Sequence, residues 1–162
     1  MPKSRWFWPI LGTLVLADCS TKELVETTLA GNPGPHSLMG EWLRVTLAYN
    51  PGAAIPLSFG AASRVVFGGF AVAAIFALLV LYRRTAPEAR LRAAALALVA
   101  GGALGNLLDR LRSPQGVVDF IDVGIGDARF WTFNVADVGV TVGAVLLALV
   151  LWRDEKPRAE AA

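Results

Sequence analysis

Two aspartates stand out among the residues of this chain that could do chemistry. Asp119 lies in the segment 116–120, and Asp137 lies in the segment 133–137, where a strongly apolar stretch begins. A carboxylate at membrane depth costs about 2.5 kcal/mol or more and is usually retained for function. Two such groups on neighbouring segments can share one proton. A pair of this kind can catalyse hydrolysis, with one carboxyl acting as the acid and the other as the base.

The elements that must position these acids are membrane helices. The 162 residues are 55% hydrophobic and 17% charged, with a mean hydropathy of +0.53, which is too apolar for an ordinary soluble domain. A bilayer span takes about 20 mostly apolar residues. Four stretches meet this requirement, at 6–29, 65–82, 91–108 and 132–152. We therefore expect an all-α polytopic membrane protein with four transmembrane helices, forming one domain over 1–162.

Basic residues set the expected orientation. Nine of the fifteen Lys and Arg residues lie at the N-terminus, between the second and third stretches, and in the tail at 153–162. Four spans with both termini in the cytoplasm place all three groups inside, as the positive-inside rule requires. The pI of 9.0 is therefore explained by topology, and no nucleic-acid partner is expected.

The segment 31–60 differs in character from the apolar stretches, since it is rich in Pro and Gly. Within it, apolar and polar residues alternate from Leu43 to Asn50, a period of two that is typical of a strand. We expect a small extracytoplasmic β-sheet region between helices 1 and 2. The second outer connection, 110–130, has many turn residues and is expected to be a short loop on which Asp122 and Asp127 are exposed.

Glycines at four-residue spacing suggest where helices approach each other. Gly101 and Gly105 form one such pair, and Gly139 and Gly143 form another. Small residues at this spacing let helices pack closely in lipid. We expect these glycines to serve packing.

With this topology, most polar residues of the apolar segments fall at one depth, near the outer interface. Asp18 and Lys22 are four residues apart on one helix face, as are Asn106 and Arg110. Such a layer is typical of a site. It contains Asp18, Lys22, Asn50, Asn106, Asp109, Arg110, Asp119, Asn134 and Asp137.

Alternatives remain at several of these positions. The pairs Asp18–Lys22 and Asp109–Arg110 also fit structural ion pairs that tie helices together, and a Ser20–Lys22 pair is a conceivable nucleophile. Intramembrane acids also mark proton relays, so a small transporter or proton-coupled channel is a rival interpretation, and a non-enzymatic scaffold is another. A cleaved lipoprotein leader before Cys19 is disfavoured because Asp18 occupies the place of the required small residue.

Five sequence blocks, taken together, resemble the bacterial lipoprotein signal peptidases, also called signal peptidase II. Each block is weak alone, but all five occur in the family's order and cover nearly the whole chain. They are Asp18-x-x-x-Lys22, Asn50-Pro51-Gly52-Ala53-Ala54, the run from Gly101 to Arg110, Gly116-Val117-Val118-Asp119-Phe120 and Phe133-Asn134-Val135-Ala136-Asp137.

This resemblance implies an aspartic endopeptidase of the bacterial inner membrane. Such an enzyme removes the signal peptide from diacylglyceryl-modified prolipoproteins, on the N-terminal side of the lipidated cysteine, with an activated water and no cofactor or metal. Membrane lipid and lipidated prolipoproteins are its implied partners, and the expected state is a monomer. The implied catalytic dyad is Asp119 and Asp137, with Asn50, Gly52, Asn106, Asp109, Arg110, Asn134, Asp18 and Lys22 binding substrate or supporting the dyad.

The chain departs from the family pattern at two places. Cys19 stands where the family usually has glutamine, and Ile55-Pro56 replaces the usual aromatic residue. Both departures lie outside the expected dyad, so they bear on the fit of substrate.

Overall fold

In the described part of the chain, the architecture is that of four long helices and one small antiparallel sheet. It is seen in a computed structural model, which describes residues 2–52 and 62–155. Ala53, Ala54 and the Ile55-Pro56 departure lie outside the described residues, as does the tail at 156–162. The helices are α1 (Ser4–Leu29), α2 (Ser63–Arg84), α3 (Arg90–Arg112) and α4 (Val135–Glu155), and the strands are β1 (His36–Met39), β2 (Leu43–Asn50), β3 (Val117–Ile125) and β4 (Ala128–Arg129).

Three helices in the described part of the chain are long and apolar enough to cross a membrane. These are α2, α3 and the first 19 residues of α4, Val135–Arg153. Helix α1 has 26 residues but falls outside this set, because Asp18, Lys22 and Glu23 interrupt its apolar stretch. The fourth expected span therefore stays a prediction. Helix α4 also runs to Glu155, so the expected tail from 153 onward begins as helix.

Helix α3 is the centre of the bundle. It packs against α1, α2 and α4, and it carries most of the buried apolar residues of the helices, many of them alanine. A Cβ atom added at Gly143 of α4 would lie 2.8 Å from the Cβ atom of Leu98 in α3. One added at Gly139 would lie 2.4 Å from the side chain of Leu14 in α1. The close helix approach expected of these glycine-rich segments is confirmed.

The sheet has the strand order β1-β2-β3-β4 and joins both outer connections. Strands β1 and β2 come from the segment between α1 and α2, as expected. Strands β3 and β4 come from the segment between α3 and α4, so the expectation of a turn-rich loop at 110–130 was wrong. Val117, Val118, Phe120, Ile121 and Val123 are β-branched or aromatic, and this strand signal was outweighed by the flanking turn residues.

Candidate active site

Two local features of the backbone bring the candidate residues together. Strand β2 pairs with β3 so that Ala48 lies opposite Asp119, after a shift in register between Val45 and Ala48 that is typical of a β-bulge. On the other edge of β3, Phe133, which lies two residues before α4, forms a bridge to Ile121. Its backbone N–H donates to the Ile121 oxygen at 3.1 Å, and its backbone oxygen accepts from the Ile121 N–H at 2.7 Å. The start of α4 is thereby held against Asp119.

Asp137 belongs to a reciprocal capping arrangement at the start of α4. The side-chain oxygen of Asn134 accepts a hydrogen bond from the backbone N–H of Asp137 at 2.9 Å. The Oδ2 atom of Asp137 accepts one in return from the backbone N–H of Asn134 at 3.2 Å. This exchange satisfies two N–H groups that a helix start leaves unpaired, and it fixes the Asp137 carboxylate beside the end of the helix.

Asp119 is 4% exposed and receives hydrogen bonds on both carboxyl oxygens. The side-chain amide of Asn134 donates to Oδ1 at 2.7 Å, and the amide of Asn50 donates to Oδ2 at 3.1 Å. Asn134 therefore binds both carboxylates, that of Asp119 through its side-chain amide and that of Asp137 through its backbone N–H. The two acids that the sequence singled out are held by one shared residue.

Asn106 supplies a second link from the centre of the bundle. Its Nδ2 atom donates to Oδ1 of Asp137 at 2.8 Å. Its Oδ1 atom accepts from the amide of Asn134 at 3.1 Å and from the ammonium of Lys22 at 2.9 Å. These contacts fix the amide orientation of Asn106, so that its donor side faces Asp137.

One cavity of 310 Å³ contains both carboxylates. It is large enough for water and part of a peptide chain, and Asp119 and Asp137 share its walls with polar side chains from β2 and α3. The lining residues that the sequence had singled out are Asn50, Gly52, Asn106, Arg110, Asp119 and Asp137. Gly52 donates its N–H to Asn50 at 3.0 Å, and its missing side chain leaves room for Phe67, whose ring would lie 2.4 Å from an added Cβ.

The pKa of Asp119 is raised to about 6. Burial is the largest cause, because it disfavours the charged form, and the nearby charge of Asp137 acts in the same direction. The hydrogen bonds from Asn50 and Asn134 favour the ionised form, so they make the rise in the pKa smaller but do not cancel it. Asp119 is therefore able to hold a proton at mildly acidic pH, where an ordinary aspartate would be ionised.

A buried cluster of Asp18, Lys22 and Asp109 lies next to the cavity. The Lys22 ammonium is 2.7 Å from a carboxylate oxygen of Asp18 and 2.7 Å from one of Asp109. Asp18 also accepts from the backbone N–H of Ala136 at 2.9 Å, and Asp109 accepts from that of Val118 at 3.2 Å. Each acid of this cluster thus binds the residue immediately before one of the cavity aspartates.

Several sequence-based expectations change in detail. Asp109 pairs with Lys22 from another helix, whereas Arg110 donates to the backbone oxygen of Asn106 at 2.9 Å. Ser20 is exposed while Lys22 is buried with two carboxylates, so a Ser–Lys nucleophile is not formed. Asp122 is half-buried and contacts Arg129 at 2.7 Å, so its expected exposure was wrong, because only the sheet brings that partner close.

Other residues of the site were missed or lie elsewhere. Phe130 and Trp131 line the cavity although no motif contained them, and their aromatic rings just before a membrane helix were the available signal. Cys19 lies outside this cavity and lines a separate one of 270 Å³ with Lys22 and Asp109. Within residues 2–52 and 62–155, no group of three His, Cys, Asp or Glu side chains is placed to hold a metal ion.

The fold places the chain in a structural class, since it resembles two solved structures of bacterial membrane enzymes. A solved structure of a bacterial membrane enzyme, at 2.3 Å resolution, superposes with a TM-score of 0.81 and 29% identity, covering 94% of this chain and 91% of that one. A second bacterial membrane enzyme gives a TM-score of 0.79 and 30% identity over 90% of this chain and 91% of that chain.

The sequence comparisons narrow this class to one family. The family model for signal peptidase (SPase) II matches residues 10–153. A lipoprotein signal peptidase of Ectopseudomonas mendocina is 41% identical over 100% of this chain and 99% of its own length. Those of Serratia proteamaculans and Escherichia coli O157:H7 are 37% and 38% identical, each over 90% of this chain and over 85% and 87% of their own lengths. The chain belongs to the signal peptidase II family, which makes it a peptidase.

Proposed function

We propose that this chain is an aspartic endopeptidase that removes the signal peptide from diacylglyceryl-modified prolipoproteins. It cuts on the N-terminal side of the lipidated cysteine, with Asp119 and Asp137 as the catalytic dyad. The observation that carries this proposal is the placement of both carboxylates in one cavity, where Asn134 hydrogen-bonds to each of them. Membership of the peptidase family supplies the class of reaction.

The proposed chemistry uses one proton shared between two acids. Two close carboxylates do not both ionise cheaply, and the raised pKa of Asp119, about 6, favours it as the partner that holds the proton. Ionised Asp137 takes a proton from water as the oxygen adds to the scissile carbonyl carbon. Protonated Asp119 donates a hydrogen bond to the carbonyl oxygen. As the tetrahedral intermediate collapses, Asp137 gives the proton that it took from water to the nitrogen of the breaking C–N bond. The products are the carboxylic acid of the signal peptide and the amine of the lipidated cysteine, and the dyad is left with its one proton on Asp119.

Neighbouring residues have supporting roles in this proposal. Asn50, Asn106 and Asn134 hold the two carboxylates at fixed orientations by the hydrogen bonds described above. Arg110 presents its guanidinium to the cavity and is available for carbonyl oxygens of the bound peptide or of the glyceryl esters. Gly52 keeps the wall of the cavity free of a side chain beside Asn50.

A lipidated substrate is consistent with the surface next to the cavity. An apolar cavity of 280 Å³ adjoins it, and the two share Phe130, Phe133 and Asp137. It continues along the face of α4 over Val138 and Val142, which are exposed. We propose that this face receives apolar parts of the substrate, so that the scissile bond reaches the dyad without leaving the membrane.

The proposed setting is the bacterial inner membrane, with both termini in the cytoplasm and the cavity at the periplasmic face. Helix α1 serves as the fourth span, since its 26 residues extend about 39 Å at 1.5 Å per residue. Its exposed apolar side chains, which include Trp6, Leu16 and Leu24, are suited to lipid. The working form is a monomer, and no cofactor takes part.

The test is cleavage of a diacylglyceryl-modified prolipoprotein by the purified chain, followed by detection of the freed signal peptide. We expect Asp119→Asn and Asp137→Asn each to lower the rate by about 10²–10⁴-fold, the usual contribution of one acid–base group. Asp127→Asn is the matched control, because Asp127 is an exposed acid on the same outer face. Full activity in either dyad variant, with normal insertion into membranes, would refute the proposal.

The pH dependence of cleavage provides a second test. A dyad that shares one proton gives a bell-shaped profile, because activity requires one ionised and one protonated carboxyl. The descending limb should begin near pH 6, where Asp119 loses its proton. A rate that keeps rising with pH through this range would contradict the assignment of Asp119 as the protonated partner.

A further inference from the structure

Basic residues gather at the end of the bundle that is opposite the cavity of Asp119 and Asp137. Helix α2 ends on Arg83 and Arg84, and helix α3 begins at Arg90 with Arg92 in its first turn. Segment 83–92 thus has four arginines and one acid, Glu88, for a net charge of 4 − 1 = +3. Because α3 begins here and reaches Arg110 at its other end, this basic end is one helix length away from the proposed catalytic cavity.

A groove runs from this basic end between α2 and α4. No Cα atom of α2 comes within 8 Å of one of α4 in the described part of the chain, and α3 forms the floor between them. A cavity of 130 Å³ marks the end of the groove, and its lining includes four leucines and two arginines. The residues concerned are Leu81, Leu96, Leu147, Leu151, Arg84 and Arg92.

A second cavity of 310 Å³ continues from the first and shares Arg92 with it. It adds Arg90 and Arg153 to the basic side, and Glu88 is the acid among its lining residues. The charged part of the groove is therefore extended and mostly positive. It lies where the apolar helices α2 and α4 end, which is the level of lipid headgroups for helices that cross a bilayer.

We propose that this groove binds one anionic phospholipid, with its phosphate at Arg84 and Arg92 and one acyl chain along the leucines. One guanidinium group can donate two parallel hydrogen bonds to two oxygens of a phosphate, and it is weakly hydrated. Both properties suit arginine to a phosphate site at the membrane surface. Basic pockets between membrane helices are a recognised form of headgroup site. The occupant is a lipid because a free phosphate gains nothing from the leucines, and it is anionic because the +3 segment disfavours the cationic part of a zwitterionic headgroup.

The test measures lipid retention directly. The full-length protein, solubilised in a mild detergent, is mixed with equal amounts of phosphatidylglycerol and phosphatidylcholine and examined by native mass spectrometry. We expect one retained phosphatidylglycerol per chain. Arg84→Gln should lower its affinity about fivefold, and Arg84→Gln/Arg92→Gln about 25-fold, since one basic residue near such a headgroup contributes about a factor of five. Arg64→Gln, an exposed arginine at the other end of α2, is the matched control and should change nothing.

A second variant separates a lipid site from general attraction of charge. Leu81→Ser removes half-exposed apolar surface from the groove and leaves every arginine in place. We expect it to weaken phosphatidylglycerol retention as well. Equal retention of the two lipids would overturn the proposal, as would displacement of the lipid by millimolar inorganic phosphate or unchanged retention in Arg84→Gln. Thermal unfolding of each variant reports whether it is folded. If the Arg84→Gln/Arg92→Gln variant does not fold, lipid retention by Arg84→Gln and Leu81→Ser tests the proposal.

Discussion

Removal of the Lys22 ammonium is expected to be the most damaging single change next to the cavity. Lys22 is 3% exposed and lies 2.7 Å from the carboxylates of Asp18 and Asp109, which are 0% and 8% exposed. Two negative charges and one positive charge give this cluster a net charge of −1. In Lys22→Met, a change of similar length, the net charge becomes −2 with no cation in the cluster.

The magnitude follows from the burial of the two remaining acids. Breaking a buried ion pair by removal of one partner costs about 3–5 kcal/mol, because an uncompensated charge stays inside. A natural protein is stable by only about 5–15 kcal/mol, so this is a large part of the total. For a chain of this size, an apparent Tm lower by about 6–20 °C is expected.

The decisive comparison is between Lys22→Met and Asp18→Asn. Asp18→Asn makes the cluster neutral, leaves Lys22 paired with Asp109, and keeps an oxygen to accept from the N–H of Ala136. Its cost should be that of one charged hydrogen bond, about 1.5–3 kcal/mol. Asp18→Asn should therefore be the milder change.

The assay is thermal unfolding of both purified variants in the same detergent, together with cleavage of a lipidated prolipoprotein below the unfolding range. Lys22→Met should also lose activity beyond its loss of folded protein, because Lys22 orients Asn106, which donates to Asp137. Equal Tm values for Lys22→Met and the unchanged protein, or a larger loss in Asp18→Asn, would show that this account of the buried charges is wrong.

Two further predictions concern steric fit and protonation. Gly105→Ala should destabilise the protein and lower activity, because its Cβ would lie 2.5 Å from a carboxylate oxygen of Asp18; Gly12→Ala, with nothing within 4 Å, is the control, and equal Tm values for the two would contradict the prediction. Because the pKa of Asp119 is raised to about 6, the folded state binds the proton of this carboxyl more tightly than the unfolded state does. The free energy of unfolding is therefore higher by about 3 kcal/mol below pH 4, and this difference is lost as the pH rises through about 6. Asp119→Asn should therefore reduce the fall in Tm between pH 4 and pH 7, and an unchanged pH dependence would count against burial as the cause.

Local sequence patterns were sufficient to predict the helices and to choose the candidate site residues. Helical spacing put Asp18 and Lys22 on one face, and the structure pairs them at 2.7 Å. The alternation from Leu43 to Asn50 correctly indicated β2. The strand at 117–125 was missed because its β-branched and aromatic residues do not alternate with polar ones and turn residues flank them. Such a strand is stabilised mainly by its partners, and β2 is remote in sequence from β3.

Pairings between distant segments lay beyond the reach of local pattern. An Asp109–Arg110 ion pair was one of the alternatives that the spacing left open, and Asp109 binds Lys22 instead. Asp122 was expected in solvent and instead binds Arg129. The spacing of Asn134 and Asp137 fits a local helix cap, but nothing in it indicates that Asn134 also contacts Asp119, since that contact needs β3 and the start of α4 to lie side by side.

The sequence by itself determined which residues are candidates for the chemistry and which segments are apolar, because residue type and periodicity are local properties of the chain. It also fixed the two acids as candidates, since a carboxylate beside an apolar helix is costly wherever that helix packs. Only the tertiary structure decided that the acids share one cavity, that Asn134 and Asn106 orient them, and that a buried lysine lies behind them. These are relations between segments far apart in sequence, and they arise from strand register and helix packing, which depend on every partner at once.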